Sequence, residues 1–199
     1  MSKMVDKEFF HKVKEEIRIL GVDDGSFSRS QSKTLLVGSV FRGGSWMDGL
    51  MSSEISVDGR DATDKLIDMI KSSKYEDIRV IMLHGVTVAG FNIFDVKELF
   101  EETGLPVIVF IESRPEMRKI KKALKNLEDW EKRLKVMKKT GEVNEMVLNK
   151  KVYFQVCGIS KKDAERIIEI SSTRGDIPEP LRISHIIATG ITEGESTKR

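Results

Sequence analysis

The 199-residue chain contains one cysteine, four prolines, two tryptophans and two tyrosines, and neither sign of charge prevails: 34 Lys and Arg stand against 32 Asp and Glu. Each scarcity excludes something. Cys157 alone cannot close an internal disulfide, and no Cys/His grouping has the spacing of a structural zinc site, so a reducing, cytoplasmic setting is expected. The net charge of +2 gives no global argument for a polyanionic partner, and any basic face must come from local clustering. No apolar run approaches the roughly 20 residues that span a bilayer, and Met1 to Lys7 is too polar for a signal peptide, so no membrane role is expected. The glycine spacings GxGxxG and GxxxxGK[ST] are missing, which excludes the two familiar nucleotide loops. Cys157 and Ser160 lack the surroundings of an activated nucleophile, and His11, His84 and His185 are scattered, which argues against a serine or cysteine hydrolase.

Hydrophobic residues make up 39% and charged residues 33%, a globular balance, and the length suits one domain over residues 1–199. The mixed, abundant charge also resembles that of proteins from hot habitats. Lys7 to Ile17 has the spacing of a short amphipathic helix. Strands are predicted at Arg18–Val22, Thr34–Phe41 and Trp46–Val57, with the turn Gly43-Gly44-Ser45 between the second and third. A helix opening at Asp61, a strand at Arg79–Leu83, a helix from Asp95 to Thr103 and a strand at Pro106–Ile111 follow. The order βββαβαβ predicts an α/β fold of the ribonuclease H-like kind: a mixed five-stranded sheet with strand one beside strand four, flanked by helices. Beyond it the pattern predicts a helix or helix pair over Pro115–Thr140, one further strand at Val152–Val156, helices at Lys161–Ser171 and Leu181–Ala188, and a mobile tail at 192–199.

The residues able to carry chemistry are acids at strand ends. Asp23 and Asp24 follow the apolar run Ile19-Leu20-Gly21-Val22, and two adjacent carboxylates repel each other unless a cation or a turn amide meets them. Magnesium is usually held by one or two carboxylates plus water and phosphate, so a second acid is expected near the first. Asp61 can supply it, although as an isolated feature it also reads as an N-cap, and Asp58 before Gly59 reads as a turn residue. His84, at the end of the fourth strand, stands where a third ligand is expected, against the alternative of a structural histidine. Arg114, Arg118 and Lys122 head a basic stretch that is either a phosphate-binding face or a solvated helix face.

Three segments carry a resemblance. Ile19-Leu20-Gly21-Val22-Asp23-Asp24-Gly25-Ser26-Phe27, Val57-Asp58-Gly59-Arg60-Asp61-Ala62-Thr63 and Gly85-Val86-Thr87-Val88-Ala89-Gly90-Phe91-Asn92 resemble the archaeal endonuclease dU family, which is similar to endonuclease V. The resemblance implies a ribonuclease H-like, metal-dependent endonuclease that uses Mg2+ or Mn2+ and cuts nucleic acid, DNA sooner than RNA, near deaminated bases such as deoxyuridine. Its first catalytic acid falls on Asp23 and the second on Asp61. The third carboxylate falls on His84, and a lysine of the next strand falls on Glu112. The expected site is therefore Asp23, Asp61 and His84 as catalytic and metal-binding residues, with Arg114, Arg118 and Lys122 on nucleic acid. The two departures leave open a non-catalytic nucleic-acid-binding protein with a decayed site, and a small-molecule phosphohydrolase would require a closed pocket.

Overall fold

The computed structural model describes residues 10, 12–28 and 30–196. Three strands open the fold as an antiparallel meander: β1 (Arg18–Asp24), β2 (Lys33–Arg42) and β3 (Trp46–Ser56). Helix α1 (Ala62–Lys71) then returns the chain to β4 (Val80–His84), which lies parallel to β1. A small hairpin, β5 (Thr87–Val88) with β6 (Asn92–Ile93), precedes α2 (Val96–Thr103) and β7 (Val107–Ile111), which lies parallel to β4. Gly104 ends α2 in a left-handed cap, a conformation that glycine adopts at little cost. The remaining elements are α3 (Met117–Leu124), α4 (Trp130–Lys139), β8 (Asn144–Val147), β9 (Lys151–Cys157), α5 (Lys161–Ser171) and α6 (Glu179–Glu193). The sheet order β3-β2-β1-β4-β7-β9-β8 contains the five-stranded ribonuclease H-like core that the sequence predicts, with β1 central.

Strand alternation divides the core in two. Leu20, Val22, Ile81, Leu83, Val107 and Val109 bury one face together with Leu66 of α1 and Leu99 of α2. Ile19, Val80, Met82, Ile108 and Phe110 bury the other with Ile167 of α5 and Leu181 of α6. A third cluster, Ile93 with Leu124, Leu134 and Met137, seats α3 and α4 beside β6.

Four expectations are corrected. The stretch over 12–17 is not helical, and Lys7 to Phe9 and His11 lie outside the described residues. Val13 and Ile17 are nevertheless buried, because the chain turns there and Gly43 donates its amide to Ile17 O at 2.9 Å. Two strands follow the five-stranded core, not one: β8 is a short edge strand whose residues alternate between half-buried and exposed, too weakly apolar to announce itself. The last helix is longer than Leu181–Ala188 at both ends. It includes Thr192 and Glu193 of the expected tail, and Thr192 Oγ1 donates to Ala188 O at 3.0 Å; residues 197–199 lie outside the described ones. Among the described residues no helix is long and apolar enough to cross a membrane.

Candidate active site

The period of two that buries Ile19, Met82 and Phe110 on the α6 face continues to the strand ends. Asp23 follows Ile19 and Gly21, His84 follows Val80 and Met82, and Glu112 follows Ile108 and Phe110, so all three side chains emerge on that face. Parallel pairing of Val22 with Leu83 and of His84 with Phe110 sets them side by side. His84 Nδ1 lies 2.9 Å from Asp23 Oδ2, and its Nε2 lies 3.1 Å from Glu112 Oε1. With a carboxylate at each nitrogen the ring is held as an imidazolium. Burial opposes that charge, but the hydrogen bonds to Asp23 and Glu112 outweigh it and raise the pKa to about 9. Burial likewise opposes ionisation of Asp23, and hydrogen bonds from His185 and His84 overcome it and hold the carboxyl at about 2.

His185 completes the row from above. It belongs to α6, and its Nδ1 lies 3.1 Å from Asp23 Oδ2. The helix reaches this close because small residues meet where it crosses β1: a Cβ on Gly21 would stand 2.4 Å from the backbone of Pro180. Buried hydroxyls set the height and rotation of the helix. Ser184 Oγ donates to Gly21 O at 2.8 Å and accepts from Ser39 N at 3.0 Å, and Ser39 Oγ donates to Pro180 O at 2.7 Å. The residue after Ser184 is thereby aimed at the carboxylate. An open cleft of about 340 Å³ lies at this rim, lined by Asp23, Asp24, Phe27, His84 and His185.

One position along β1, alternation turns Asp24 toward the α1 face, where its Oδ2 accepts from Ala89 N at 2.7 Å. Burial and the charge of Asp23 raise its carboxyl to about 6. The loop that supplies this amide also holds two other acids. Phe91 N donates to Asp58 Oδ1 at 2.8 Å, and Asn92 Nδ2 donates to Asp61 Oδ1 at 2.6 Å. Asp58 and Ala89 both adopt positive φ, 51° and 44°, which non-glycine residues adopt only under constraint. Part of that constraint is Arg133 of α4, which is 8% exposed. Its guanidinium donates to the carbonyls of Asp58, Gly59 and Phe91 and pairs with Asp129.

The structure therefore brings Asp23 and His84 together and leaves Asp61 out. The Asp61 carboxylate is taken up by Ser56 N at 3.2 Å, Ser56 Oγ at 2.9 Å and Asn92, and although burial opposes ionisation these donors lower its pKa. Its side chain makes no cap bond to α1 either; Asn92 Oδ1 accepts from Ala62 N at 3.1 Å in its place. The expected trio of Asp23, Asp61 and His84 is thus not drawn together by hydrogen bonds, and among the described residues no group of three or more His, Cys, Asp or Glu is arranged to hold a metal ion. The physical reason is the donors that meet each side chain: Asp61 opens α1 beside Ser56 and Asn92, which take it up, whereas Asp23 and His84 emerge on the α6 face and meet each other. Reasoning from sequence did not single out His185 or the contact of Glu112 with His84. The same-parity series Ile19-Gly21-Asp23, Val80-Met82-His84 and Ile108-Phe110-Glu112 carries the signal for Glu112, while nothing local marks His185. Arg114, Arg118 and Lys122 are exposed on the turn after β7 and on α3, beginning two residues beyond Glu112.

Comparison with known proteins agrees with this architecture. A UPF0215 protein of Methanosarcina mazei is 50% identical over 191 residues, covering 94% of this chain and 96% of that one. The crystal structure of a protein of unknown function from Archaeoglobus fulgidus superposes with a TM-score of 0.80 at 40% identity, covering 88% of this chain and 98% of that one. Endonuclease V of Ciona intestinalis, solved with a 24-mer DNA containing an inosine followed by a ribo-adenosine, superposes with a TM-score of 0.60 at 13% identity, covering 89% and 87%. At that identity the likeness is one of fold. Residues 15–192 match endonuclease dU, and the chain belongs to the endonuclease dU family.

Proposed function

We propose that the protein is a metal-dependent endonuclease that hydrolyses a phosphodiester bond of nucleic acid, DNA in preference to RNA, near a deaminated base such as deoxyuridine. The observation that carries this reading is the open cleft at the ends of β1 and β4, where Asp23 and Asp24 adjoin under two imidazoles. Adjacent carboxylates, Asp23 buried and Asp24 half-buried with its pKa driven up to about 6, form a site whose repulsion a cation relieves. They also match the way magnesium is usually held, by one or two carboxylates with water and phosphate oxygens filling the other positions. Asp23 and Asp24 would hold Mg2+ or Mn2+, which when bound supplies an activated water and charge stabilisation.

The other residues have separable tasks. His84, with both nitrogens engaged by carboxylates, fixes the orientation of Asp23 and adds positive charge beside the cleft. His185 lines the cleft and would hand a proton to the departing oxygen. Arg114, Arg118 and Lys122 extend a basic track from the rim for flanking phosphates. An apolar recess of about 390 Å³, whose lining includes Gly85, the residue after His84, is walled by Val86, Phe91, Ile111, Ile120 and Met137 and is of a size to receive a base.

The test is cleavage of end-labelled strands carrying deoxyuridine, inosine or ordinary bases only, with each metal, by wild type and Asp23→Ala. Cleavage near deoxyuridine that Asp23→Ala abolishes supports the proposal; cleavage that survives the substitution places the active site elsewhere. The retraction of Asp61 onto Ser56 and Asn92 favours one second reading, a nucleic-acid-binding protein without activity. Wild type that binds these strands and cuts none would establish it.

A further inference from the structure

The hairpin β8–β9 lies outside the five-stranded core, yet its tip lies at the catalytic rim. Because β9 runs antiparallel to β7, with Tyr153 opposite Ile111, its beginning and not its end reaches the edge from which Glu112 emerges. The tip is tightly built. Leu148 N donates to Lys150 O at 3.0 Å, and a single oxygen, Asp176 Oδ1, accepts from Asn149 N at 2.9 Å and Lys150 N at 3.1 Å. So fixed, the backbone presents Lys150, whose Nζ lies 3.8 Å from Glu112 Oε2 while its side chain stays 52% exposed. Charges then alternate along the rim: Lys150, Glu112, His84, Asp23. At this separation and exposure the lysine gains little from Glu112 and keeps donors free for a second anion.

We infer that Lys150 contacts a backbone phosphate of the nucleic acid where the strand leaves the cleft on the β7 side, and that Asp176 is the positioning residue that holds the tip for this contact. The inference rests on the nucleic-acid reading of the site proposed above. An ammonium on a flexible stem suits a sugar-phosphate backbone, which asks for a point charge and no base identity. Its place beyond Glu112, on the side of the site where Arg114 also stands, gives the strand a continuous path across the β7 edge.

The experiment measures binding of a fluorescent 24-mer containing deoxyuridine, single-stranded and duplex, in chelator so that nothing is cut, across a salt titration. Lys150→Ala is expected to weaken binding roughly three- to tenfold and to lower the slope of log K against log salt by about 0.7 on single strands and about 0.9 on duplex, the value of one phosphate contact. Lys150→Arg should keep the wild-type slope. Asp176→Ala separates positioning from charge: loss of an anion alone would tighten binding, whereas loss of the tip's anchor should weaken it, and Asp176→Asn, which keeps an acceptor oxygen, should restore it. A wild-type slope in Lys150→Ala, or tighter binding by Asp176→Ala, overturns the inference and leaves the nucleic-acid reading intact. Absence of any binding by wild type removes both.

Discussion

The two faces of the sheet treat acids at the same rim differently. On the α6 face Asp23 and Glu112 are joined through imidazole, with His84 between them and His185 above. On the α1 face Asp58 and Asp61 are gripped by amides, the backbone of Phe91 and the side chain of Asn92, itself wholly buried, while Asp24, whose Oδ2 accepts from Ala89 N, also lines the cleft. Imidazoles take and release protons and can yield a carboxylate to another partner, whereas amides in a loop pinned by Arg133 cannot. One set of acids is kept available and the other acts as staples. An acid at a strand end is thus not a ligand by virtue of its place; the donors that meet it decide.

The sharpest way to break this comparison is to remove one acid from each face. Asp23→Ala should lower cleavage roughly a thousandfold, in line with the loss of a group that organises transition-state charge. Asp61→Ala should stay within about tenfold of wild type in activity while losing about 1–3 kcal/mol of stability, because it leaves the Ser56 and Asn92 donors unpaired. Equal loss of activity from the two in folded protein would make the α1 face catalytic as well.

Next in size is the pH dependence of stability. His84 titrates at about 9 in the folded protein against 6.5 ordinarily, so its stabilisation is complete below pH 6.5 and is lost as pH rises through 9. The shift corresponds to at most about 3 kcal/mol. Urea unfolding at pH 6 and pH 9.5 should show that decline in wild type and not in His84→Gln; parallel curves would mean that the imidazolium contributes nothing.

Asp24 gives the opposite case, a carboxyl raised to about 6, so stability in chelator should fall as pH rises from about 4 to 6. Mg2+ or Mn2+ should reverse this, raising Tm by a few degrees at pH 7.5, an effect of about 1–2 kcal/mol, and hardly at all at pH 4.5. Asp24→Asn should abolish the metal response. An unchanged response in that variant would take Asp24 out of the metal site. The smallest effects belong to Arg114, Arg118 and Lys122, where each change to Ala should weaken DNA binding about two- to fivefold and flatten the salt dependence. No change would return them to a solvated helix face.

Much of this architecture is legible in the chain itself. The continuous apolar runs Ile19-Leu20-Gly21-Val22 and those of β4 and β7 predict the central strands, and the change to helical spacing at Asp61 predicts βββαβαβ. The site is legible in part, because Asp23 closes a buried strand. Asp61 misleads, since spacing along the chain does not say which face of the sheet a helix-opening residue will serve. His185 is invisible because it follows Asp23 by 162 positions and meets it only through α6.

The sequence by itself determined the strand and helix order of the five-stranded core, the placement of two acids at the end of β1 and of a histidine at the end of β4, and the lack of disulfide, zinc-cluster and glycine-rich nucleotide-loop spacings, since these depend on local periodicity and residue type. Only the tertiary structure decided which acids become partners. Parallel pairing brought Asp23, His84 and Glu112 into one row, the close approach of Gly21 to Pro180 lowered His185 onto it, and the antiparallel return of β9 carried Lys150 to its end. Each of these contacts joins residues far apart in the chain, and its geometry is set by packing distance and strand direction, which no local pattern encodes.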